Sequence, residues 1–153
     1  MIVVSDTSII TSLIQIRRVA LLRELHGQVL IPEAVLRELQ LTHATIPDFL
    51  EARSVSDRQQ VLRLADELDL GEAEAIVLAK ETRADLLLID EKLGRAVALR
   101  EGLRISGLMG LAVEARRRGA IDSVRELVRR LEVEAGFRVS AAVKQEAFRL
   151  AGE

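Results

Sequence analysis

Leu86-Leu87-Leu88-Ile89 is an unbroken apolar run that closes on an acid, Asp90, and Ile2-Val3-Val4-Ser5 closes in the same way on Asp6. A strand that is apolar on successive residues has no face to turn toward water, so both sides of its sheet must be covered. Three further short runs read as strands: 28–31, 53–56 and 103–106. The stretches between them carry helical spacing. Ile9, Ile10, Leu13 and Ile14 share one face, Val19 to Leu25 stops at His26-Gly27, and Pro32 opens a helix with Val35, Leu36 and Leu39 on one side. Residues 41–52 read as a loop with a short helix. Helices are predicted over 57–68, ended by Leu70-Gly71, then over 72–82, 91–100, 108–118, 122–135 and 140–151. Strands alternating with helices demand a three-layer α/β/α sandwich with a central, mainly parallel sheet.

At 153 residues the chain matches one domain with one sheet. It has no cysteine, which excludes a disulfide scaffold, a thiolate metal site and a thiol nucleophile. No apolar run approaches the roughly 20 residues of a membrane span. The start, MIVVSDTSII, lacks the basic lead-in of a secretory signal, so a soluble cytoplasmic protein without a membrane partner is expected. Net charge is −2, which is not that of a protein coated in basic groups. Phe49, Phe137 and Phe148 are the only aromatics, too few for the stacking platforms of single-strand binders. Whatever the chain holds, it holds by backbone, charge or metal.

Ligands of parallel sheets bind beyond the carboxyl ends of the strands, where Asp6 and Asp90 fall. Taken alone, Asp6 reads equally as a helix cap. Glu38 borders the buried face of the helix opened by Pro32, and alone reads as a solvated glutamate. Glu72 and Glu74 open the helix of Leu-Gly-Glu-Ala-Glu-Ala-Ile, where acids favour the helix dipole. Glu72 also leads a small apolar face with Ala75, Ile76 and Ala79, and a carboxylate there needs a partner. Three or four carboxylates at one edge form a hard-oxygen site suited to Mg²⁺ or Mn²⁺. Such ions activate water and neutralise phosphodiesters.

The order of these elements resembles the PIN domain, a family of metal-dependent ribonucleases that includes the VapC toxins of toxin–antitoxin pairs. Val3-Val4-Ser5-Asp6-Thr7-Ser8 is similar to the family's opening strand and Asp-Thr-Ser. Leu30-Ile31-Pro32 with Val35-Leu36-Arg37-Glu38-Leu39 is similar to its second motif. Glu72 and Asp90, 18 residues apart, stand where it has an acid opening an Ala-rich helix and an Asp closing the next strand. The resemblance is strongest over 1–120; residues 121–153 form a helical extension whose Gly136-Phe137-Arg138-Val139-Ser140 is similar to a bacterial and archaeal branch.

What the resemblance implies is a Mg²⁺- or Mn²⁺-dependent endoribonuclease. Asp6, Glu38, Glu72 and Asp90 would be its catalytic and metal-holding acids, with Glu74 the rival of Glu72 and Ser8 or Thr7 the supporting hydroxyl. Arg95 would be a phosphate contact, RNA the substrate, and an antitoxin protein and a second copy of the chain the partners. Two positions depart from the family pattern: the third acid is Glu where many members have Asp, and the fourth motif reads Ile89-Asp90-Glu91-Lys92. Arg116-Arg117-Arg118 reads as a solvated helix end or as a track for RNA. The competing readings are a PIN module that binds RNA or protein with little turnover, and a phosphatase with an aspartyl nucleophile at Asp6. The phosphatase needs a second Asp two residues on, where this chain has Ser8.

Overall fold

The computed structural model describes residues 1–153. Five strands form one sheet: β1 (Val3–Ser5), β2 (Val29–Pro32), β3 (Leu50–Arg53), β4 (Leu86–Leu88) and β5 (Ile105–Ser106). Their spatial order is β3-β2-β1-β4-β5, and every pairing is parallel. β1 and β4 are therefore neighbours, and Ser5 stands opposite Leu88. Asp6 extends the ladder by donating its backbone N–H to the Leu88 carbonyl at 3.1 Å.

Side chains leave a strand alternately to its two faces, and here both faces are apolar. Val3, Val29, Ile31 and Leu88 enter one core. There they meet α1 (Thr7–Gln15), α2 (Ala20–His26), α3 (Glu33–Thr42), α7 (Leu108–Arg117), α8 (Val124–Ala135) and α9 (Ala141–Leu150). Val4, Leu30 and Leu87 enter the other, under α4 (Arg58–Leu64), α5 (Leu70–Glu81) and α6 (Lys92–Arg100). The three-layer α/β/α sandwich follows from that alternation.

α5 is the most enclosed helix, buried without a break from Gly71 to Ala79. Its small residues let it lie close to the sheet, and a helix with no polar face must be covered all round. It packs on β1, β2 and β4 and against α3, α4 and α6, so its first turn sits above the carboxyl ends of the central strands.

Some boundaries differ from the expected ones, each for a physical reason. Gly71 does not end a helix: α5 already begins at Leu70, capped by Asp69. The glycine is needed because a Cβ there would meet Glu38 Oε1 at 2.5 Å. Pro32 is the last residue of β2 and the cap of α3, one place before the expected first helical position. The edge strand lies at Leu50–Arg53 and not at 53–56, because its backbone pairs with all of β2. No helix forms within 43–52, where a turn leads from α3 into β3. α4 stops at Leu64, short of the expected 68.

Candidate metal centre

Asp6 leaves β1 and caps α1, accepting from the Ile9 N–H at 3.4 Å. Ser8 Oγ lies 3.4 Å from both of its carboxylate oxygens. The side chain is only 3% exposed. Burial drives its carboxyl up to about 8 against the pull of the Ile9 N–H, and the charges of Asp90 and Glu72 push the same way as burial.

Glu72 stands in the first turn of α5, its N–H given to Asp69 Oδ1 at 2.8 Å. Burial, then the adjoining Asp69 carboxyl, raise Glu72 to about 7, with a smaller push from Glu91. Its Oε2 is buried without a hydrogen-bond partner. Gly94 of α6 makes room for that oxygen, since a Cβ at this position would lie 2.6 Å from it. Asp90 follows β4 and accepts from the Leu108 N–H at 3.0 Å. Burial raises its carboxyl, partly offset by the Leu108 N–H and the Arg95 guanidinium. Glu38 reaches in from α3 and accepts from Thr7 Oγ1 at 2.5 Å. Both hydroxyls that follow Asp6 are thus engaged: Ser8 steadies Asp6, and Thr7 steadies Glu38.

Asp6, Glu38 and Glu72 line one cavity of about 440 Å³ that has no lysine or arginine in its wall. Asp90 lies next door, facing a second cavity that shares Ser8 and Glu91 with the first. The structure therefore gathers the four acids at the carboxyl edge of the sheet. They are not drawn into a closed ligand set of three or more side chains.

Glu74 lies elsewhere. It is two residues from Glu72, about 200° around the helix, and is turned to the opposite side. It is 2% exposed, and both oxygens are engaged: Oε1 by the Ala34 N–H at 3.0 Å, Oε2 by Arg58 at 2.9 Å. α3 has no side-chain cap of its own, and Glu74 supplies one from α5.

Arg95 folds back so that Nη1 donates to the Ile89 carbonyl at 2.9 Å. The arginine run lies at the end of α7 away from the site, where Arg118 binds Glu114 and the Leu25 carbonyl. Asp69 and Glu91 also line the acidic cavity, and sequence reasoning missed both. The Asp69-x-x-Glu72 spacing of a capping box was the available signal for the first, and direct adjacency to Asp90 for the second.

The acids fit a hard divalent cation. The donors are all carboxylate oxygens, no lysine or arginine lines the pocket that holds Asp6, Glu38 and Glu72, and one buried oxygen is orphaned. Without a cation, burial among like charges favours the protonated forms of Asp6 and Glu72, raised to about 8 and about 7.

Fold and site together define an α/β domain with a carboxylate pocket at the carboxyl ends of two central parallel strands. A family model described as a PIN domain matches residues 2–153, and the chain belongs to that family. This is a nuclease-type fold. Searches of curated proteins and of solved structures find no match.

Proposed function

We propose that the chain is a metal-dependent ribonuclease that hydrolyses RNA phosphodiesters. The reading rests above all on Glu72, which lines an acidic pocket without a lysine or arginine in its wall and whose Oε2 is buried beside Gly94 with no hydrogen-bond partner. A buried carboxylate oxygen without a donor is costly, and a cation relieves the cost. Asp6, Glu38, Glu72 and Asp90 would hold Mg²⁺ or Mn²⁺, which supplies Lewis acidity and lowers the pKa of water. Glu74 is left out, because its carboxylate is already spent on Arg58 and Ala34.

The chain's own part is positioning. The Ile9 N–H and Ser8 hydroxyl orient Asp6, Thr7 orients Glu38, and the Leu108 N–H orients Asp90. RNA as substrate is supported by the similarity of Asp6-Thr7-Ser8 and of the Glu38, Glu72 and Asp90 motifs to ribonuclease members of the family.

The test is cleavage of a mixed structured RNA by wild type and Asp6→Asn in Mn²⁺, Mg²⁺ or EDTA, beside calorimetric Mn²⁺ titration of both proteins. Metal-dependent cleavage and Mn²⁺ binding, both lost in Asp6→Asn, are expected. Failure of the wild type to bind Mn²⁺ overturns the metal centre; binding without cleavage overturns the nuclease in favour of a binding module.

A further inference from the structure

Beyond Asp90 the surface changes sign. A cavity of about 550 Å³ is lined by Asp90 together with Lys92, Arg95 and Arg138. Lys92 and Arg138 also face the smaller cavity, about 350 Å³, that joins Asp90 to Ser8 and Glu91. Acidic pocket, joining cavity and cationic cavity therefore adjoin one another, sharing Ser8 and Glu91 at one wall and Asp90, Lys92 and Arg138 at the next.

None of these three cations forms an ion pair. Several arginines elsewhere are paired, among them Arg100 with Glu67, Arg129 with Glu126, Arg130 with Glu134 and Arg149 with Glu146. Other unpaired cations, Arg63 and Arg104 among them, stand on the open surface; what sets these three apart is that they share one cavity with Asp90. Lys92 and Arg138 are exposed, whereas Arg95 is half-buried and held by the Ile89 carbonyl.

Arg138 is brought here by Gly136-Phe137-Arg138-Val139-Ser140, the connector that the metal site leaves unexplained. Gly136 ends α8 in the left-handed region at φ 66°, and the Phe137 N–H returns to the Leu131 carbonyl at 3.0 Å. Phe137 packs against the core, which leaves Arg138 facing out. The local field has the same sign. α6 starts at this cavity without a side-chain cap, so its partial positive end adds to the three cations, whereas the start of α7 is already met by Asp90 through the Leu108 N–H.

We propose that the cavity lined by Lys92, Arg95 and Arg138 holds the phosphodiester backbone of the RNA strand on the Asp90 side of the scissile bond. The proposal rests on the ribonuclease reading above, and deepens it by naming where the strand runs. Lys92 and Arg138 are positioning residues that contact phosphate oxygens, while Arg95 braces the end of β4 and adds its charge. Such contacts are blind to sequence, as backbone contacts are.

The experiment is fluorescence anisotropy with a labelled, unstructured RNA oligonucleotide at several salt concentrations in EDTA. It compares wild type, the double variant Lys92→Gln/Arg138→Gln, and Arg63→Gln/Arg104→Gln as a control on exposed cations away from the path. All four side chains are exposed, and circular dichroism checks that each variant folds. Losing two phosphate contacts should lower the slope of log affinity against log salt by about 1.4, at roughly 0.7 per contact on a single strand. Affinity should drop equally for RNAs of different sequence, with Mn²⁺ binding by calorimetry unchanged and the control pair matching wild type.

An unchanged slope in the double variant, or no RNA binding by wild type, overturns the track. So does loss of binding to a labelled poly-glutamate peptide while RNA binding persists, which assigns the cavity to an acidic protein partner. Loss of Mn²⁺ binding or cleavage in Asp6→Asn bears on the nuclease alone, so the two readings fail separately.

Discussion

Two glutamates two residues apart on α5 have opposite surroundings. Glu74 is buried and fully satisfied, by a guanidinium on one oxygen and a helix-terminal N–H on the other. Glu72 is buried beside Asp69, Glu91 and Asp6, with one oxygen bonded to nothing. The same residue type at the same depth in one helix is a structural strut on one side and an unmet demand for charge on the other. Burial of an acid therefore says little about its role; the sign of what surrounds it says more.

Breaking that comparison from the Glu72 side should have the largest effect. In Glu72→Gln, Mn²⁺ affinity should fall by at least the roughly 100-fold that altered outer-shell partners of metals can cost. The apo protein should meanwhile melt higher at pH 8, because a charge buried among acids is gone. Calorimetric titration and differential scanning on the same preparations check both halves. A lower apo melting temperature would mean Glu72 is a strut like Glu74.

From the other side, Glu74→Ala leaves the Ala34 N–H without an acceptor and Arg58 without its carboxylate. Arg58 is half exposed and can turn to water, so the expected loss is about 2 kcal/mol, chiefly the unsatisfied amide. Urea unfolding measures it. Mn²⁺ affinity should stay within about twofold of wild type, since this carboxylate faces away from the pocket.

A smaller and subtler effect sharpens the comparison through pH. The Asp6 carboxyl is raised to about 8 and that of Glu72 to about 7, both above their values in an unfolded chain. A raised carboxyl favours the fold while protonated, and that stabilisation is lost as pH climbs through the folded value. The metal-free protein should therefore melt lower at pH 9 than at pH 6. Asp6→Asn should flatten the dependence and raise the pH 9 melting temperature by roughly 4–8 °C, which corresponds to about 2 kcal/mol in a domain of this size. Saturating Mn²⁺ should reverse the wild-type trend, because a cation favours the ionised acids. Melting curves across pH, with and without Mn²⁺, test the sign directly.

Much of the fold was legible in the residues. Val3-Val4 and Leu87-Leu88-Ile89 have no polar alternation, so a sheet covered on both faces was the only economical reading. What blurred were the edges. β3 is half exposed and only weakly apolar, and its place is set by pairing with β2 more than by its own pattern. Gly71 looked like a stop because glycine lowers helix propensity, whereas its position is decided by the Glu38 carboxylate beside it. The same is true of the site. Asp6 and Asp90 could be paired from chain order alone, because a strand-ending acid is carried to the edge by its strand.

Glu72 and Glu74 could not be told apart in that way. Periodicity separates the faces of a helix that is half wet, but α5 is dry all round, so neither glutamate is marked as outward. By itself, then, the sequence determined the layers, the parallel sheet and the edge at which the acids collect, because those depend on the period of apolar residues. Only the tertiary structure decided which acid is neutralised by Arg58, which is left bare, and where Lys92 and Arg138 meet beside Asp90. Those outcomes depend on residues distant in the chain coming within a few ångströms, and electrostatic energy varies with that distance, not with position along the sequence.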